Sequence, residues 1–318
     1  MSRSLTMQAR IDAYLVERRR LGFSLETSGI MLRSFARFAD LSGHRGPLTT
    51  TLVVAWVQGE ARNATPTSWV RRLEVLRPFA EHERRLDPRN ELPVSSIFGK
   101  AHQRRTPHIY TDQEIVALLQ AARRLQPQHS IRPATYETML GLIAATGLRI
   151  SEALKLRCGD VDIAGRCLTV RMTKFTKSRH VPFDASVAAA LSRYVAIRAR
   201  SAPAESDASF FVGASGQVPS KRQVHWTFQQ LRRDANIVAR GAYDEVRIHD
   251  LRHTFICRRV QRWQNEGADI DNAIAALATY VGHAKVSDTY WYLTGIPDLM
   301  VAAGDRFEAF AAEERCHG

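Results

Sequence analysis

The chain has 318 residues, 45% of them hydrophobic and 24% charged, the balance of a folded globular protein and not of a disordered one. Lys+Arg number 45 against 32 Asp+Glu, a formal net charge of +13, and no apolar run approaches the ~20 residues of a membrane span. Secretion is excluded as well, because Arg3, Arg10, Asp12 and Glu17 interrupt the first turns where a signal peptide needs an unbroken apolar stretch. Only six of the basic residues are Lys. Arginine presents a planar fork that matches phosphate oxygens, so an excess of this kind points to a nucleic-acid partner. The excess is uneven: residues 1–105 carry 18 basic and 10 acidic side chains, a net of +8.

The first ~90 residues read as four helices by apolar period. Met7, Ile11, Tyr14 and Leu15 form the stripe of the first, which Arg18, Arg19 and Arg20 close before Gly22. Met31, Leu32, Phe35, Phe38 and Ala39 mark a second, residues 49–61 with Trp56 a third, and residues 67–86 with Trp69, Leu73, Leu76 and Phe79 a fourth. Arg71 and Arg72 lie on the outer face of the fourth and are candidates for DNA contact. The period is lost over 87–107, where Pro88, Pro93 and Pro107 punctuate the chain. The expected division is a helical domain over 1–90, a linker over 91–107 and a larger domain over 108–318.

The larger domain opens on a capping box, Thr111 to Glu114. Helices are predicted over 111–125, 134–146, 150–157, 184–200, 220–235, 249–264 and 271–282. Strands near 167–173 and 178–183 flank the polar turn Thr176-Lys177, and a last helix is expected over 298–312, with Leu299, Met300, Ala303, Phe307 and Phe310 on one stripe. The fold class is therefore mainly α with a small antiparallel β-sheet. Cys158, Cys167, Cys257 and Cys316 have neither disulfide-framework nor zinc spacing and read as reduced thiols of a cytoplasmic protein. No phosphate-binding glycine loop, HExxH or dinucleotide fingerprint is present, so neither a metal nor a cofactor is expected.

Four stretches stand apart: Thr146-Gly147-Leu148-Arg149-Ile150-Ser151-Glu152, Lys174 ahead of Arg179-His180-Val181-Pro182, His249-Asp250-Leu251-Arg252-His253-Thr254, and Gly282-His283 followed nine residues on by Tyr292. Each alone is weak. In this order and spacing they resemble the tyrosine recombinases, the family of the lambda-type integrases and Xer proteins, over residues 107–295. Two departures from the usual pattern are Tyr280-Val281 before Gly282 and a somewhat longer connection over 264–279.

The resemblance implies a helical core-binding domain joined to a tyrosine-recombinase catalytic domain, a clamp on double-stranded DNA, and strand exchange through a 3′-phosphotyrosyl intermediate. It implies integration, transposition or resolution, without cofactor, by a homo-oligomer (a tetramer on synapsed DNA) or with sibling recombinases, in the cytoplasm on the nucleoid. The terminal helix would dock on a neighbouring protomer. Tyr292 is the implied nucleophile, with Tyr290 read as packing or DNA contact. A tyrosine hydroxyl has a pKa near ~10, so ionising it at pH 7 costs roughly 4 kcal/mol unless cations help. Arg149 and Arg252 would supply that help and neutralise the transition state. Lys174 would protonate the leaving 5′ oxygen, His249 would orient the phosphate and exchange a proton with Tyr292, and His283 would donate to a non-bridging oxygen. Glu152, one turn past Arg149, is placed to hold that guanidinium, while Lys177 and Arg179 are candidates for phosphate contact. His253 is read as structural, because it follows Arg252 directly. Two other readings fit the same residues: a type IB topoisomerase-like relaxing enzyme, and a DNA-binding regulator without catalysis.

Overall fold

The computed structural model describes residues 5–59, 66–99, 105–171, 178–201 and 205–295. The chain divides into two compact units, Met1–Arg104 and Arg105–Gly318. In the first, helices α1 (Met7–Arg20), α2 (Glu26–Leu41), α3 (Thr50–Gly59) and α4 (Pro66–Leu86) enclose a core of Ile11, Leu15, Leu32, Phe35, Leu73 and Phe79. Trp56 meets Phe35 edge-on, with ring centroids 5.3 Å apart. The start of α1 is satisfied from two sides. The Thr6 hydroxyl accepts the Ala9 amide, and the Asp40 carboxylate, from the end of α2, accepts the Met7 and Gln8 amides at 3.0 Å each. A negative group thus sits where the helix dipole favours one.

Beyond Leu86 the helical period ends, yet the chain packs back on this unit. Asn90 is 3% exposed and accepts from Arg10 Nη2 (2.8 Å) and the Leu48 amide (2.7 Å). It donates to the Glu83 and Asp87 carbonyls, while Leu92 and Phe98 lie against the core. The predicted linker therefore begins with residues bound to the helical unit.

The second unit is built around α6 (Arg132–Thr146), which packs against α5 (Asp112–Arg123), α8 (Ala185–Arg198) and α10 (Ile248–Glu266). The Thr111–Glu114 capping box that opens α5 is formed in full. Three short antiparallel strands, β1 (Val161–Asp162), β2 (Cys167–Val170) and β3 (Arg179–Pro182), lie in that order, and Leu168 pairs with Val161 on one side and Val181 on the other. β1, only two residues long, has no period to betray it in the sequence. The third predicted helix of this unit, 150–157, stops early: α7 spans Ile150–Ala153. The backbone of the next residues pairs elsewhere, Cys158 N–H with the Ala208 carbonyl and Phe210 N–H with the Leu156 carbonyl.

Helix α9 (Lys221–Asp234) completes the main core. Helix α10 turns one face to that core through Ile248 and Leu251. With its far half it forms a second core, in which Ile256, Cys257 and Val260 meet Ile274, Leu277 and Val281 of α11 (Ile270–Val281). A helix absent from the predicted elements, α12 (Ser287–Gly295), closes this second core with Tyr292. Lys174, the Thr176-Lys177 turn and the 298–312 segment lie outside the described residues. No helix among the described residues is long and apolar enough to cross a membrane.

Gly147 ends α6 with φ +65°, and a Cβ there would stand 2.6 Å from Cδ1 of Phe255. Gly147→Ala should lower unfolding free energy by roughly 2–4 kcal/mol, combining left-handed strain with a core clash. Gly216→Ala, at φ +75° with nothing within 4 Å, carries strain alone and should cost about 1 kcal/mol. Urea denaturation midpoints of the two variants compare the effects.

Candidate active site

Three helix ends meet in the second unit. Gly147 follows α6, Arg149 is the residue before α7, and Gly282 follows α11. Arg252 rises from the first turns of α10, where Asp250 accepts the Arg247 amide at 2.8 Å and fixes the start of the helix. Its guanidinium ties the ends of α6 and α11 together. Nη1 donates to the Gly147 carbonyl (2.7 Å) and Nη2 to the Val281 carbonyl (2.8 Å). Arg149 Nη2 donates to the next carbonyl, Gly282, at 2.9 Å. Two guanidiniums therefore hang on successive carbonyls immediately before His283.

Glu152 is the carboxylate of this cluster. It accepts the Arg149 amide and Nη1, both at 2.9 Å, and a two-armed fork from Arg179 at 3.0 and 2.9 Å. Burial by itself would raise its pKa, but the Arg179 fork, with help from Arg149, overrides this and holds it down at about 2. Arg252 is 1% exposed, and its hydrogen bonds go to carbonyls. Burial, with the nearby Arg149 charge, pulls its pKa down to about 9. Arg149, Arg179 and Arg252 thus face a single carboxylate, so the cluster is short of negative charge and suited to an oxyanion.

Tyr292 is 3% exposed, with its ring nearly parallel to that of His283 at 6.4 Å. The Nδ1 of His283 lies 2.7 Å from the Thr289 hydroxyl. The Tyr292 hydroxyl is 2.5 Å from Nδ1 of His253, whose ring stands edge-on to His249 at 4.6 Å. Burial, followed by the charges of neighbouring groups, lowers the pKa of His253 to about 2 and of His283 to about 3. His249 moves the same way, to about 4, through the protein packed around it and the charges of Arg252, Arg247 and Arg149. His249 is nonetheless exposed to solvent, which tempers the first of these causes.

Beside the cluster a cleft of about 1100 Å³ is lined by Arg149, Glu152, Thr169, Arg171, Arg179 and His283. Arg179, expected to contact phosphate, is spent on the protein: it donates to Glu152 and, at 2.8 Å, to the Tyr280 carbonyl. The Tyr280 hydroxyl in turn donates to the Pro182 carbonyl (2.9 Å), so both ends of β3 are tied to the end of α11. Tyr290 is 38% exposed and donates to Asp271. In the helical unit Arg71 is exposed, whereas Arg72 donates to the Trp56 and Val57 carbonyls at the end of α3 and covers the Trp56 ring. Lys174 and Lys177 lie outside the described residues. His253, read as structural from its place beside Arg252, is in contact with the Tyr292 hydroxyl. Its signal was present in the sequence, since His249 and His253 are four apart and share a helix face.

The Phage integrase family model matches residues 109–295. The "Putative integrase/recombinase y4rB" of Sinorhizobium fredii (strain NBRC 101917 / NGR234) is 36% identical over 309 residues, covering 95% of this chain and 97% of that protein. The tyrosine recombinase XerC of Staphylococcus aureus (strain MSSA476) is 27% identical over 229 residues, 71% of this chain and 70% of its own. Among solved structures, the Tn1549 transposon integrase in complex with transposon right end DNA superposes with a TM-score of 0.67 at 17% identity, covering 96% of this chain and 100% of that one. XerH recombinase bound to palindromic difH substrate gives 0.65 at 16% identity, over 89% and 80% of the two chains.

Glu152 makes a pH prediction. Its folded pKa, about 2, lies below the ~4.3 of an unfolded glutamate. Its contribution to stability is therefore complete above about pH 4.5 and is lost as pH falls through the folded value. Unfolding free energy should fall less steeply between pH 4.5 and 2 in Glu152→Gln than in the wild type, and the variant should be less stable at pH 7. Denaturant titrations across that range measure both; parallel curves would mean that Glu152 is not held ionised.

Proposed function

The chain belongs to the phage integrase family, and from that membership and the site geometry we propose that it is a site-specific DNA recombinase that cuts and rejoins strands through a 3′-phosphotyrosyl intermediate. One observation carries the reading. Arg149, Arg252, His283 and Tyr292 are spread over more than a hundred residues of sequence, yet they gather around the Val281 and Gly282 carbonyls. The cluster is rich in donors and poor in carboxylate, and a scissile phosphodiester supplies what it lacks.

In this reading Tyr292 attacks phosphorus and forms the tyrosyl ester, which keeps the bond energy while strands change partners. Arg149 and Arg252 bind the non-bridging oxygens and stabilise the charge that builds on them. Their forks are already fixed by carbonyls, so little reorganisation is needed when the phosphate arrives. His283, its Nδ1 engaged by Thr289, offers Nε2 to the same oxygens, and His249 orients the phosphate from the other side. Lys174, in the segment between β2 and β3, protonates the leaving 5′ oxygen. Glu152 holds Arg149, and Arg179 holds Glu152.

The substrate is double-stranded DNA, gripped by the catalytic unit and the helical unit, with Arg71 and Lys177 on the backbone. The working assembly is a homo-tetramer on synapsed DNA or a mixed assembly with sibling recombinases, acting in the cytoplasm on the nucleoid. The helical unit is the core-binding domain, residues 91–107 the connection, and segment 298–312 the tail that reaches a neighbour.

Three variants test the chemistry on a nicked suicide duplex whose core site the protein has itself selected from a random-sequence pool. Tyr292→Phe should bind this duplex as the wild type does and trap no covalent adduct; adduct formation would move the nucleophile elsewhere. Lys174→Ala should cleave roughly 10²–10⁴-fold more slowly, and a 5′-bridging sulfur, which leaves without a proton, should restore it. Lys177→Ala should lose less and gain nothing from sulfur; the reverse pattern would make Lys177 the acid.

A further inference from the structure

We propose that His253 is a catalytic residue of this site, whose Nδ1 accepts the Tyr292 hydroxyl proton as the phosphotyrosyl bond forms. The inference rests on the reading of Tyr292 as nucleophile. Its geometric basis is the 2.5 Å contact between Nδ1 and the hydroxyl oxygen, made across two helices, α10 and α12. The ring is confined on several sides: His249 stands edge-on at 4.6 Å, Trp291 lies at 6.4 Å, and the Tyr292 ring itself at 5.5 Å. An acceptor held this way keeps its lone pair aimed at the hydroxyl.

A proton acceptor must be empty at the start. Burial ensures that first, and the charged and titratable neighbours of His253 add to it: His249 and Arg252 on its own helix, Arg247 just before that helix and His283 after α11 keep the imidazole neutral far below pH 7. With the ring proton on Nε2, Nδ1 is free to accept. The same burial and the Arg247 and Arg252 charges make a bound proton costly, and a phosphodiester at Arg252 relieves the part of that cost that Arg252 imposes. The acceptor therefore strengthens when substrate is in place.

The step balances. The Tyr292 O–H bond breaks, its proton moves to Nδ1, and the oxygen pair forms the O–P bond. The bond from phosphorus to the 5′ oxygen breaks, and that oxygen takes a proton from Lys174. Rejoining runs these transfers backwards: the 5′ hydroxyl gives its proton to Lys174, and the departing Tyr292 oxygen recovers the one on His253.

The test uses the full chain and the selected suicide duplex under single-turnover conditions. His253→Ala should cleave roughly 10²-fold more slowly or worse, with DNA binding unchanged. His253→Asn places an oxygen near Nδ1 that accepts a hydrogen bond but cannot keep a proton. It should be as slow at pH 7 and gain rate as pH rises towards the tyrosine pKa, where the wild type stays flat. It also serves where the alanine variant is destabilised. A 5′-bridging sulfur should rescue neither variant. In the DNA-free protein, the ¹⁵N resonance of His253 Nδ1 should shift on Tyr292→Phe. Wild-type cleavage by His253→Ala, full activity of His253→Asn at pH 7, or an unmoved resonance would overturn the proposal. Adduct formation by Tyr292→Phe would instead sink the parent reading, because it removes the nucleophile and not the base.

Discussion

A guanidinium buried to 1% exposure and bonded to main-chain carbonyls is the constraint on which the second unit turns. Burying a charge costs several kcal/mol unless it is well coordinated. Arg252 meets that requirement with carbonyls from the ends of α6 and α11, groups that a helix terminus leaves without an intrahelical partner. The negative ends of two helix dipoles therefore point at one cation. Remove either carbonyl and the charge is stranded; remove the charge and two helix ends lose a shared partner. The position of His283 follows closely, because only Gly282 separates it from the Val281 carbonyl.

Burial, reinforced by the positive potential so created, decides the state of the histidines. His249, His253 and His283 all have pKa values pushed well below the ordinary imidazole range, to about 4, 2 and 3. At neutral pH they are neutral rings with one donor and one acceptor each. The arginines carry the charge and the histidines direct protons, a division that a site with titrating histidines would blur. Glu152 completes it: with Arg149 and Arg179 on its oxygens it remains an anion and aims one cation without neutralising the whole cluster.

Much of this was legible in the sequence, because helix ends are written in local chemistry. The Thr111–Glu114 box, the glycines that close α6 and α11, and the apolar stripes of α1 to α4 each specify an element within a few residues. The family resemblance carried by the motifs likewise implied that Arg149, Arg252, His283 and Tyr292 share one neighbourhood. Long-range pairing was not legible. Helix α7 ends early because residues 156–158 find partners near 208–210, and nothing in residues 150–157 announces backbone partners some fifty positions away. Arg179 looked like a surface cation because its partner, Glu152, lies in α7, far from it in the sequence. The contact of His253 was hidden for another reason: adjacency to Arg252 in sequence says that the two side chains diverge, while the four-residue step from His249 says that those two align.

The arginine excess itself has two readings that the structure separates. Composition argues for a surface made to meet phosphate, yet many guanidiniums are turned inward. Arg10 binds Glu83 and Asn90, Arg72 closes α3, Arg179 braces β3, and Arg198, 2% exposed, donates to the Ser209 and Phe210 carbonyls. These sites use what lysine lacks, a rigid fork that reaches two carbonyls at once and a charge that survives burial. The same property suits a guanidinium to a phosphodiester, since phosphate oxygens and paired carbonyls present comparable acceptors at comparable spacing. The fold and the proposed chemistry thus draw on one kind of interaction. Arg252 stands at the overlap: its carbonyl partners fix its orientation, and its unneutralised charge is available to an anion that arrives from outside.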